Sequence, residues 1–269
     1  MTHLENVFVY PIKSLDATPV TSTTIVENGG LEFDRRYAIV NAEGDYVNGK
    51  REPRIHRLQA SYDLEKTVVT LREHGTDDAR QFHLEDDRTT LESWLSDFFG
   101  HTVEVVRDDE GGFPDDADAS GPTVISAGTI ERVASWYEGI DAVEMRRRLR
   151  PNLEIDGVSA FWEDRLYDEP GRVVPVEVGE ATLHGVNPCQ RCAVPTRDPD
   201  TGEPTSGFRK TFVTRRKATL PEWVSDAWFD HYFRLMVNTR VPEPSWGTEL
   251  TVGNAIEVDE PVSDPHRSA

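Results

Sequence analysis

The chain has 269 residues, of which 49 are acidic and 29 basic, so its formal net charge at pH 7 is −20. This length fits one large domain or two modest ones with a real core. Nucleic acid is not an expected partner, because binding phosphates requires a net basic face. No run of about 18 apolar residues occurs, so neither a transmembrane helix nor a membrane partner is expected. The N-terminus lacks the pattern of a secretory signal, a basic region followed by an apolar one.

The cysteine and lysine contents favour a cytoplasmic location. Two cysteines cannot build a disulfide framework, which fits a reducing cytosol. Only five of the 29 basic residues are Lys, and acid-rich, Lys-poor surfaces suit concentrated salt, where screening removes self-repulsion. We therefore expect a salt-adapted cytoplasmic protein, with a merely acidic protein as the plain alternative.

The first hundred residues predict short strands and one helix. The helix runs from Thr89 to Gly100, with a capping box formed by Thr89 and Glu92 and with Gly100 as its C-cap. Its apolar face consists of Leu91, Trp94, Leu95, Phe98 and Phe99. Alternating β-forming residues predict strands at 4–12, 18–26, 37–40, 46–47, 58–72, 80–84 and 103–106.

An acidic segment rich in Gly and turn residues, Asp108 to Gly121, is the predicted domain boundary. We place an N-terminal domain at 1–110, a second domain at 111–260 and a disordered tail at 261–269. A helix that Ser126 caps and a short helix that Asp141 caps are predicted, the latter ending before Pro151. Further elements are predicted as a strand at 122–126, a β-pair at 173–179 and 181–186, a helix at 221–235 and a hairpin at 248–258.

Two basic islands, Met145 to Asn152 and Phe208 to Lys217, run against the acidic average of the chain. Each island can be a solvated helix face or a set of local ion pairs. Each can equally face a buried anion such as a phosphate, because the guanidinium fork of Arg binds phosphate through two hydrogen bonds. The sequence leaves both interpretations open.

Cys189 and Cys192, the only two cysteines, flank Gln190 and Arg191 and precede a turn-rich segment. A reactive or metal-binding thiolate needs a nearby cation and an irregular backbone, and Arg191 could supply the cation. A structural zinc site needs about four ligands, and His184 is the only nearby extra candidate. A thioredoxin-like pair normally opens a helix, whereas a turn follows here. Two packed thiols, or one thiolate as soft ligand of a metal centre that brings its other ligands, complete the alternatives.

The segment CQRCAVPTRDPDTG resembles the signature of MOSC-domain proteins, the family built around the C-terminal domain of molybdenum cofactor sulfurases. The similarity is greater to the amidoxime-reducing branch. YPIKS, GLEFDRRYAIV and KREPRIHRL resemble the N-terminal companion domain of the same family. The resemblance implies an α+β fold, predominantly β, in which a MOSC β-barrel domain packs on an N-terminal α+β domain. The residues alone indicate only a mostly β protein with several helices.

The same resemblance implies a set of site residues for a molybdenum–pyranopterin cofactor. Cys192, the cysteine after Arg191, would ligate molybdenum and be the catalytic residue. The other implied cofactor contacts are Lys13 and Ser14 of YPIKS, Arg35, Ser120, and Arg150 and Asn152 of the RPN triplet. The segment FWED at 161–164 matches a family segment that we interpret as structural.

Our lead hypothesis is a molybdenum oxidoreductase that reduces N-hydroxylated small molecules by two electrons. A [2Fe–2S] cluster would take four thiolates, and no GxGxxG motif indicates a flavin or nicotinamide site. A separate electron-transfer protein, of ferredoxin or cytochrome type, is therefore expected as donor. One alternative is a cofactor carrier or sulfur-transfer module that works with a pyridoxal-phosphate-dependent cysteine desulfurase. Another is a small-anion-binding protein without metal.

Overall fold

The computed structural model describes residues 1–266, which form many short strands and a few helices. The α-helices are α1 (Arg88–Phe99), α2 (Ala127–Ala134), α3 (Ala142–Leu149) and α4 (Phe208–Thr219). The strands are β1 (His3–Val9), β2 (Thr18–Val20), β3 (Ser22–Thr24), β4 (Tyr37–Asn41), β5 (Leu58–Asp63), β6 (Val68–Glu73), β7 (Ala79–His83), β8 (Val103–Arg107), β9 (Val124–Ser126), β10 (Leu153–Asp156), β11 (Arg172–Val178), β12 (Ala181–Gln190), β13 (Arg234–Arg240), β14 (Glu249–Thr251), β15 (Ile256–Val258) and β16 (Val262–Ser263). The predicted α+β class with predominant β structure is confirmed.

The largest sheet has the strand order β15-β11-β12-β13-β9-β10-β1-β2, and β16 adds to β11. Its pairs are antiparallel except for β9 with β10. An isolated bridge between His3 and Ala255, with a 2.9 Å hydrogen bond from the Leu4 N–H to the Asn254 carbonyl, joins β1 to the chain that enters β15. The sheet therefore curls around one core, to which both ends of the chain contribute, Leu4 and Ile256 among them.

A second core belongs to the N-terminal part of the chain. It lies between the β4–β8 pair, the sheet β5-β6-β7 and helix α1. The predicted apolar face of α1 is confirmed, and Gly100 ends the helix with a left-handed φ of 75°. The predicted capping box is wrong. The helix starts after Asp87, and the Glu92 carboxylate accepts a 2.9 Å hydrogen bond from the Val105 N–H of β8 instead.

The two cores are interlocked, because the chain begins in one and continues in the other. Strand β1 lies within the large sheet between β10 and β2, and β3 pairs with β14. Between Ile12 and Val105, most buried apolar side chains belong to the N-terminal core, although Ile25 and Leu31 return to the core of the large sheet. The domain boundaries at 110 and 260 stay predictions, and the pairing of β1 with β10 and of β3 with β14 crosses the boundary at 110.

Helices α2 and α3 begin as predicted. Ser126 accepts a hydrogen bond from the Thr129 N–H at 3.2 Å, and Asp141 accepts one from the Glu144 N–H at 2.8 Å. Both are side-chain caps of the first turn. Helix α3 ends at Leu149, and Arg150 follows in the left-handed conformation, which turns the chain before Pro151.

The helix predicted at 221–235 is wrong. This stretch holds only a 3₁₀ turn at Asp226–Trp228, and β13 begins at Arg234. Tertiary contacts override the helical spacing, because the Trp228 indole donates to the Asp168 carbonyl at 2.6 Å and Phe229 enters the core of the large sheet. The predicted closing hairpin is also wrong in its pairing. Its two strands exist, but β14 pairs with β3 and β15 with β11.

The segment after residue 260 is ordered as far as the description extends. Strand β16 pairs with β11, and the nearly buried Asp264 carboxylate lies 2.8 Å from Arg240. The predicted disordered tail therefore does not hold for 261–266, and residues 267–269 lie outside the described part. Between residues 1 and 266, the helices are all too short or too polar to span a lipid bilayer.

A buried polar group lies at the start of α2. The Glu163 side chain is 1% exposed, and its Oε2 accepts hydrogen bonds from Thr129 Oγ1 at 3.0 Å and from the Ser126 N–H at 3.3 Å. Its Oε1 is buried without a partner. Burial, reinforced by the neighbouring charge of Asp164, raises the pKa of Glu163 from 4.5 to about 7.

We expect Glu163→Gln to be more stable than the parent protein at pH 8 and about equal to it near pH 5. Because the folded pKa of Glu163 lies above the unfolded value, its contribution is fully present below about pH 4.5 and is lost as pH rises through about 7. The shift corresponds to roughly 3 kcal/mol. Urea unfolding at both pH values measures it, with the exposed Glu257→Gln as control. Parallel pH profiles for parent and Glu163→Gln would contradict the assignment.

Candidate functional site

A cleft of about 1570 Å³ lies between the two cores. Its wall combines the chain after β1, the segment at 111–121, the turn after α3 and the loop after β12. All the predicted site residues line it, namely Lys13, Ser14, Arg35, Ser120, Arg150, Asn152 and Cys192. The fold thus brings together residues from distant parts of the sequence, whereas their roles toward a cofactor remain a prediction.

The thiols of Cys189 and Cys192 lie where β12 ends and a loop begins, and we call residues 189–194 the thiol loop. The Arg191 N–H donates to the Phe233 carbonyl at 2.9 Å, which fixes the loop against the chain that enters β13. Cys192 Sγ accepts a contact from the Val194 N–H at 3.5 Å. The Arg191 guanidinium lies 3.2 Å from Cys189 Sγ and donates to the Leu149 carbonyl. The cation predicted to assist a thiolate therefore contacts Cys189 rather than Cys192.

Neither cysteine lies beside the additional ligands that a zinc ion requires. Both thiols are free and partly buried. In the described range 1–266, no three His, Cys, Asp or Glu side chains are grouped so that they could hold a metal ion. A metal at Cys192 therefore has to bring its remaining ligands with it.

Strained backbone is concentrated along the cleft. Eight non-glycine residues of the described chain have positive φ angles, and four of them line the cleft: Ser14 (75°), Arg35 (51°), Arg150 (57°) and Met236 (69°). This conformation costs roughly 1–3 kcal/mol per residue and persists only where the surroundings enforce it. Such strain is typical of ligand-binding sites, and three of these four residues are ones that the sequence nominated.

Lys13 and Arg35 share one carboxylate, that of Asp115. Lys13 Nζ lies 2.5 Å from Asp115 Oδ1 and 2.8 Å from the Phe113 carbonyl, and Arg35 Nη2 lies 3.5 Å from Asp115 Oδ2. Although the Asp115 side chain is 70% exposed, its carboxyl lies in the cleft, where partial desolvation opposes its ionisation. The positive charges of Arg35 and Lys13 outweigh this and hold the pKa of that carboxyl well below its usual range. Burial lowers the pKa of Lys13, and Asp115 partly offsets this.

Asp115 belongs to the acidic segment that the sequence assigned only to a domain boundary. Its side chain is 70% exposed and reaches the cleft, where it serves as the anion between two cations. An anionic ligand bound at Lys13 and Arg35 has to share or displace this carboxylate. No local sequence signal distinguishes Asp115 from the other acids of that segment, because its partner Lys13 is about a hundred residues away.

Three further arginines of the cleft have no acidic partner. Within residues 1–266, no carboxylate lies within 4.0 Å of Arg150, Arg191 or Arg197, whereas Arg146 to Arg148 each pair with a Glu or Asp. The Nε atoms of Arg191 and Arg197 are buried without a partner. In a chain of net charge −20, cations left unpaired in one cleft favour an anionic ligand.

The first basic island therefore has two roles. The arginines of its helical part, α3, form ion pairs, as expected if the island is a set of local ion pairs. Arg150, one residue beyond α3, instead projects over the Tyr10 ring, with its guanidinium carbon 4.2 Å from the ring centre. Arg35 lies 5.2 Å from the centre of the same ring. Tyr10, which precedes the YPIKS proline and was not nominated, is thus a platform for both cations.

The side-chain amide of Asn152 makes its hydrogen bonds to other groups of the protein. Its side chain is buried, its Oδ1 accepts from the Thr123 N–H and Oγ1 at 3.2 Å each, and its Nδ2 donates to the Phe8 carbonyl at 3.0 Å. Arg35 Nη1 approaches Oδ1 at 3.4 Å. This arrangement orients Arg35, and a side-chain contact from Asn152 to a ligand would break one of these bonds. Ser120 Oγ likewise donates to the protein, to the Asn28 carbonyl at 2.7 Å.

His56 is a cleft residue that sequence reasoning missed. Its Nε2 is buried without a partner. Burial, together with the charges of Arg150 and Arg197, lowers the pKa of His56 to about 4, so the ring is neutral near pH 7. A Cβ added at Gly49 would lie 2.4 Å from His56 Nε2 and 3.2 Å from Val194 Cγ2, which places the imidazole against the thiol loop. Its position inside the KREPRIHRL motif was the available signal.

Comparison with known proteins defines the class. A model of the MOSC N-terminal beta barrel domain matches residues 1–105, and a model of the MOSC domain matches residues 123–260. The chain belongs to the MOSC-domain family, which confirms the resemblance inferred from its motifs.

Individual relatives are distant in sequence. The chain is 24% identical over 245 residues to the molybdenum cofactor sulfurase of Homo sapiens, an alignment that covers 74% of this chain and 27% of the sulfurase. It is 24% identical over 238 residues to mitochondrial amidoxime-reducing component 1 of Homo sapiens, covering 72% of this chain and 66% of the relative. For mitochondrial amidoxime reducing component 2 of Rattus norvegicus the values are 24% over 243 residues, 74% and 68%. The chain thus spans about a quarter of the sulfurase.

Proposed function

We propose that the cleft binds a molybdenum–pyranopterin cofactor and that the protein is an oxidoreductase that reduces N-hydroxylated small molecules. One observation carries the proposal: Cys192 shares a cleft with three arginines that lack acidic partners. The names of the relatives, a molybdenum cofactor sulfurase and two amidoxime-reducing components, support the choice of cofactor and substrate class.

The donor set of the cleft fits such a group. A thiolate is a soft ligand and suits a metal that already carries sulfur ligands from its own cofactor. Arg150 and Arg197, together with Lys13 and Arg35 in the same cleft, provide the positive charge that a phosphate tail needs. The buried Nε of Arg197 and the Nε2 of His56 are unsatisfied polar atoms, which a polar ligand could satisfy.

The net reaction consumes two electrons and two protons. The N–O bond of R–NH–OH breaks, the nitrogen leaves as the amine R–NH₂, and the oxygen leaves as water. The bound cofactor supplies the two-electron chemistry. In this chain, Cys192 would hold the metal, and the strained backbone at Ser14, Arg35 and Arg150 would keep their side chains preorganised around the tail. The neutral His56 ring can accept or donate one hydrogen bond at Nε2 to a polar group in the cleft.

The electrons are proposed to come from a separate protein of ferredoxin or cytochrome type. Two cysteines cannot hold a [2Fe–2S] cluster, and one of them is assigned to molybdenum. The acid-rich, Lys-poor composition further supports a cytoplasmic protein that works in concentrated salt.

A second candidate function is a cofactor carrier or sulfur-transfer module that works with a pyridoxal-phosphate-dependent cysteine desulfurase. The observation that favours it is the 3.2 Å contact between the Arg191 guanidinium and Cys189 Sγ. A cation at that distance stabilises a negatively charged sulfur on the cysteine that is not assigned to the metal. The similarity to part of a molybdenum cofactor sulfurase points the same way.

The test is the metal and pterin content of protein made in a host that synthesises the cofactor, followed by turnover. We expect molybdenum and pterin in equal amounts, and reduction of an N-hydroxylated amidine with a chemical reductant as electron source. Cofactor binding without turnover would favour the carrier function. Protein that contains neither molybdenum nor pterin would refute both functions and leave a metal-free anion-binding protein.

A further inference from the structure

Helix α4 carries a basic surface that no acidic residue of the described chain neutralises. We call this surface, made of Arg209, Lys210 and Lys217, the basic face of α4, because these side chains project within about 100° of one another around the helix. All three side chains are exposed, and none lies within 4.0 Å of a carboxylate in residues 1–266, although the chain has 49 acidic residues. Two of the five lysines of the whole chain lie on this one helix. The basic face is therefore a local exception on an acidic protein.

The opposite face of α4 is held firmly in the core. Phe208, Phe212 and Arg216 are fully buried, and the Phe212 ring lies 4.9 Å from the Phe233 ring in an edge-to-face contact. Arg216 forms a two-point ion pair with Asp164. The basic face is thus presented on a rigid helix rather than on a loose loop, which is what a defined docking surface needs.

The basic face lies close to the thiol loop. The Arg209 guanidinium carbon lies 5.2 Å from the centre of the Phe233 ring, and the Phe233 carbonyl accepts the 2.9 Å hydrogen bond from the Arg191 N–H. Arg191 directly precedes Cys192 in the chain. Cys189 packs against the same aromatic cluster as Phe208, Phe212 and Phe233. A single aromatic layer therefore separates the basic face from the residues that flank the proposed metal ligand.

We propose that the basic face of α4 is the docking surface for a small acidic one-electron carrier protein. This inference rests on the proposed reductase function. Ion pairs between the exposed cations of the basic face and carboxylates of the carrier form at contact distance, where salt screens them least, so the basic face favours an acidic partner docked in one orientation. Two reduced carriers are oxidised for each N–O bond that breaks, and two protons enter from solvent.

The test reverses the charge of the basic face in the variant Arg209→Glu, Lys210→Glu, Lys217→Glu. The probe is an acidic [2Fe–2S] ferredoxin that its own reductase keeps reduced. At low salt we expect the KM for ferredoxin to rise by at least about tenfold, because electrostatic steering changes association rates by roughly 10- to 1,000-fold. Turnover with dithionite-reduced methyl viologen should stay within about twofold of the parent, because that donor needs no protein docking.

A matched control changes the net charge equally at exposed cations away from α4, with Arg51, Lys66 and Arg80 each replaced by Glu. This control should keep the ferredoxin KM within about twofold of the parent value. An equal rise in both variants would show that total charge matters rather than the basic face, and would overturn the proposal. An unchanged KM in the α4 variant, or an equal loss with methyl viologen, would overturn it as well.

Direct binding separates this inference from the proposed function. Calorimetric titration of the holoprotein with oxidised ferredoxin should show binding that the α4 variant loses and the control keeps. If the parent protein fails to turn over with the chemical reductant, the reductase function fails, and the titration alone decides whether the basic face docks an acidic carrier. Binding of vesicles containing anionic phospholipid that depends on α4, without ferredoxin binding, would assign the face to a lipid surface instead and refute the proposal.

Discussion

Replacing Cys192 by Ser is expected to abolish molybdenum-dependent turnover while the fold stays intact. A serine hydroxyl is a harder ligand than a thiolate and is not ionised near neutral pH, so it is a poor substitute at a sulfur-rich metal centre. The substitution should change the stability of the fold little, because the Cys192 Sγ makes only one polar contact, at 3.5 Å with the Val194 N–H. We expect turnover with a chemical reductant to fall by more than about a hundredfold, beyond the 10- to 100-fold typical of residues that only support a ligand.

Cys189→Ser is the matched control for that experiment. Cys189 packs against the aromatic cluster and contacts Arg191, so its replacement is expected to reduce turnover by less than about tenfold. Molybdenum content, turnover and the urea midpoint of unfolding should be measured on both variants. Full activity in Cys192→Ser would refute the ligand assignment, and a larger loss in Cys189→Ser would transfer the assignment to Cys189.

The thiol loop was predictable because its signals are local. Strand β12 shows alternating burial along most of its length, and the turn residues that follow it sit within a dozen positions of Cys192. The RPN turn after α3 is equally local, since the Asp141 cap starts the helix and Pro151 limits it. The placement of Arg150 at the cleft followed from the family motif, and the geometry agrees with it.

What could not be predicted depends on residues far apart in the chain. Asp115 meets Lys13 and Arg35 only after the two cores have assembled. The pair of Arg148 with Glu144 has the i,i+4 spacing that a sequence shows, but the partners of Arg146 and Arg147, Glu154 and Asp200, are set by the fold. The left-handed backbone at Ser14, Arg35 and Arg150 has no sequence signal either, because glycine occupies none of these positions.

The helix wrongly predicted at 221–235 shows the same limit. Its apolar spacing is real, but Val224 and Phe229 are drawn into the core of the large sheet, and Phe233 into the aromatic cluster beside α4. Those two destinations are incompatible with one continuous helix. The second basic island, whose role the sequence left open, forms helix α4. Its Phe208 and Phe212 side chains are buried in the aromatic cluster, which stabilises the helix.

Removing Asp164 is expected to cause the largest loss of stability among single substitutions at buried ion pairs. Arg216 is fully buried, and its Nη1 and Nη2 lie 2.9 Å and 2.5 Å from the two carboxylate oxygens of Asp164. Asp164→Ala would leave that guanidinium buried without a counter-charge, which typically costs about 3–5 kcal/mol. The exposed pair of Arg172 and Asp168 provides the control, because Asp168→Ala should cost about 0–1 kcal/mol.

The double variant Asp164→Ala, Arg216→Met decides whether the loss comes from the stranded charge. Met fills much of the volume of Arg between the Phe161 and Phe229 rings without needing a partner, so the double variant should recover much of the stability that Asp164→Ala loses. Urea unfolding of the three variants and the parent forms a complete cycle. The Arg216 Nε also donates to the Arg234 carbonyl, one residue from the Phe233 carbonyl that binds the Arg191 N–H. Asp164→Ala should therefore also reduce molybdenum retention. A double variant no more stable than Asp164→Ala would instead attribute the loss to the cavity left by the carboxylate.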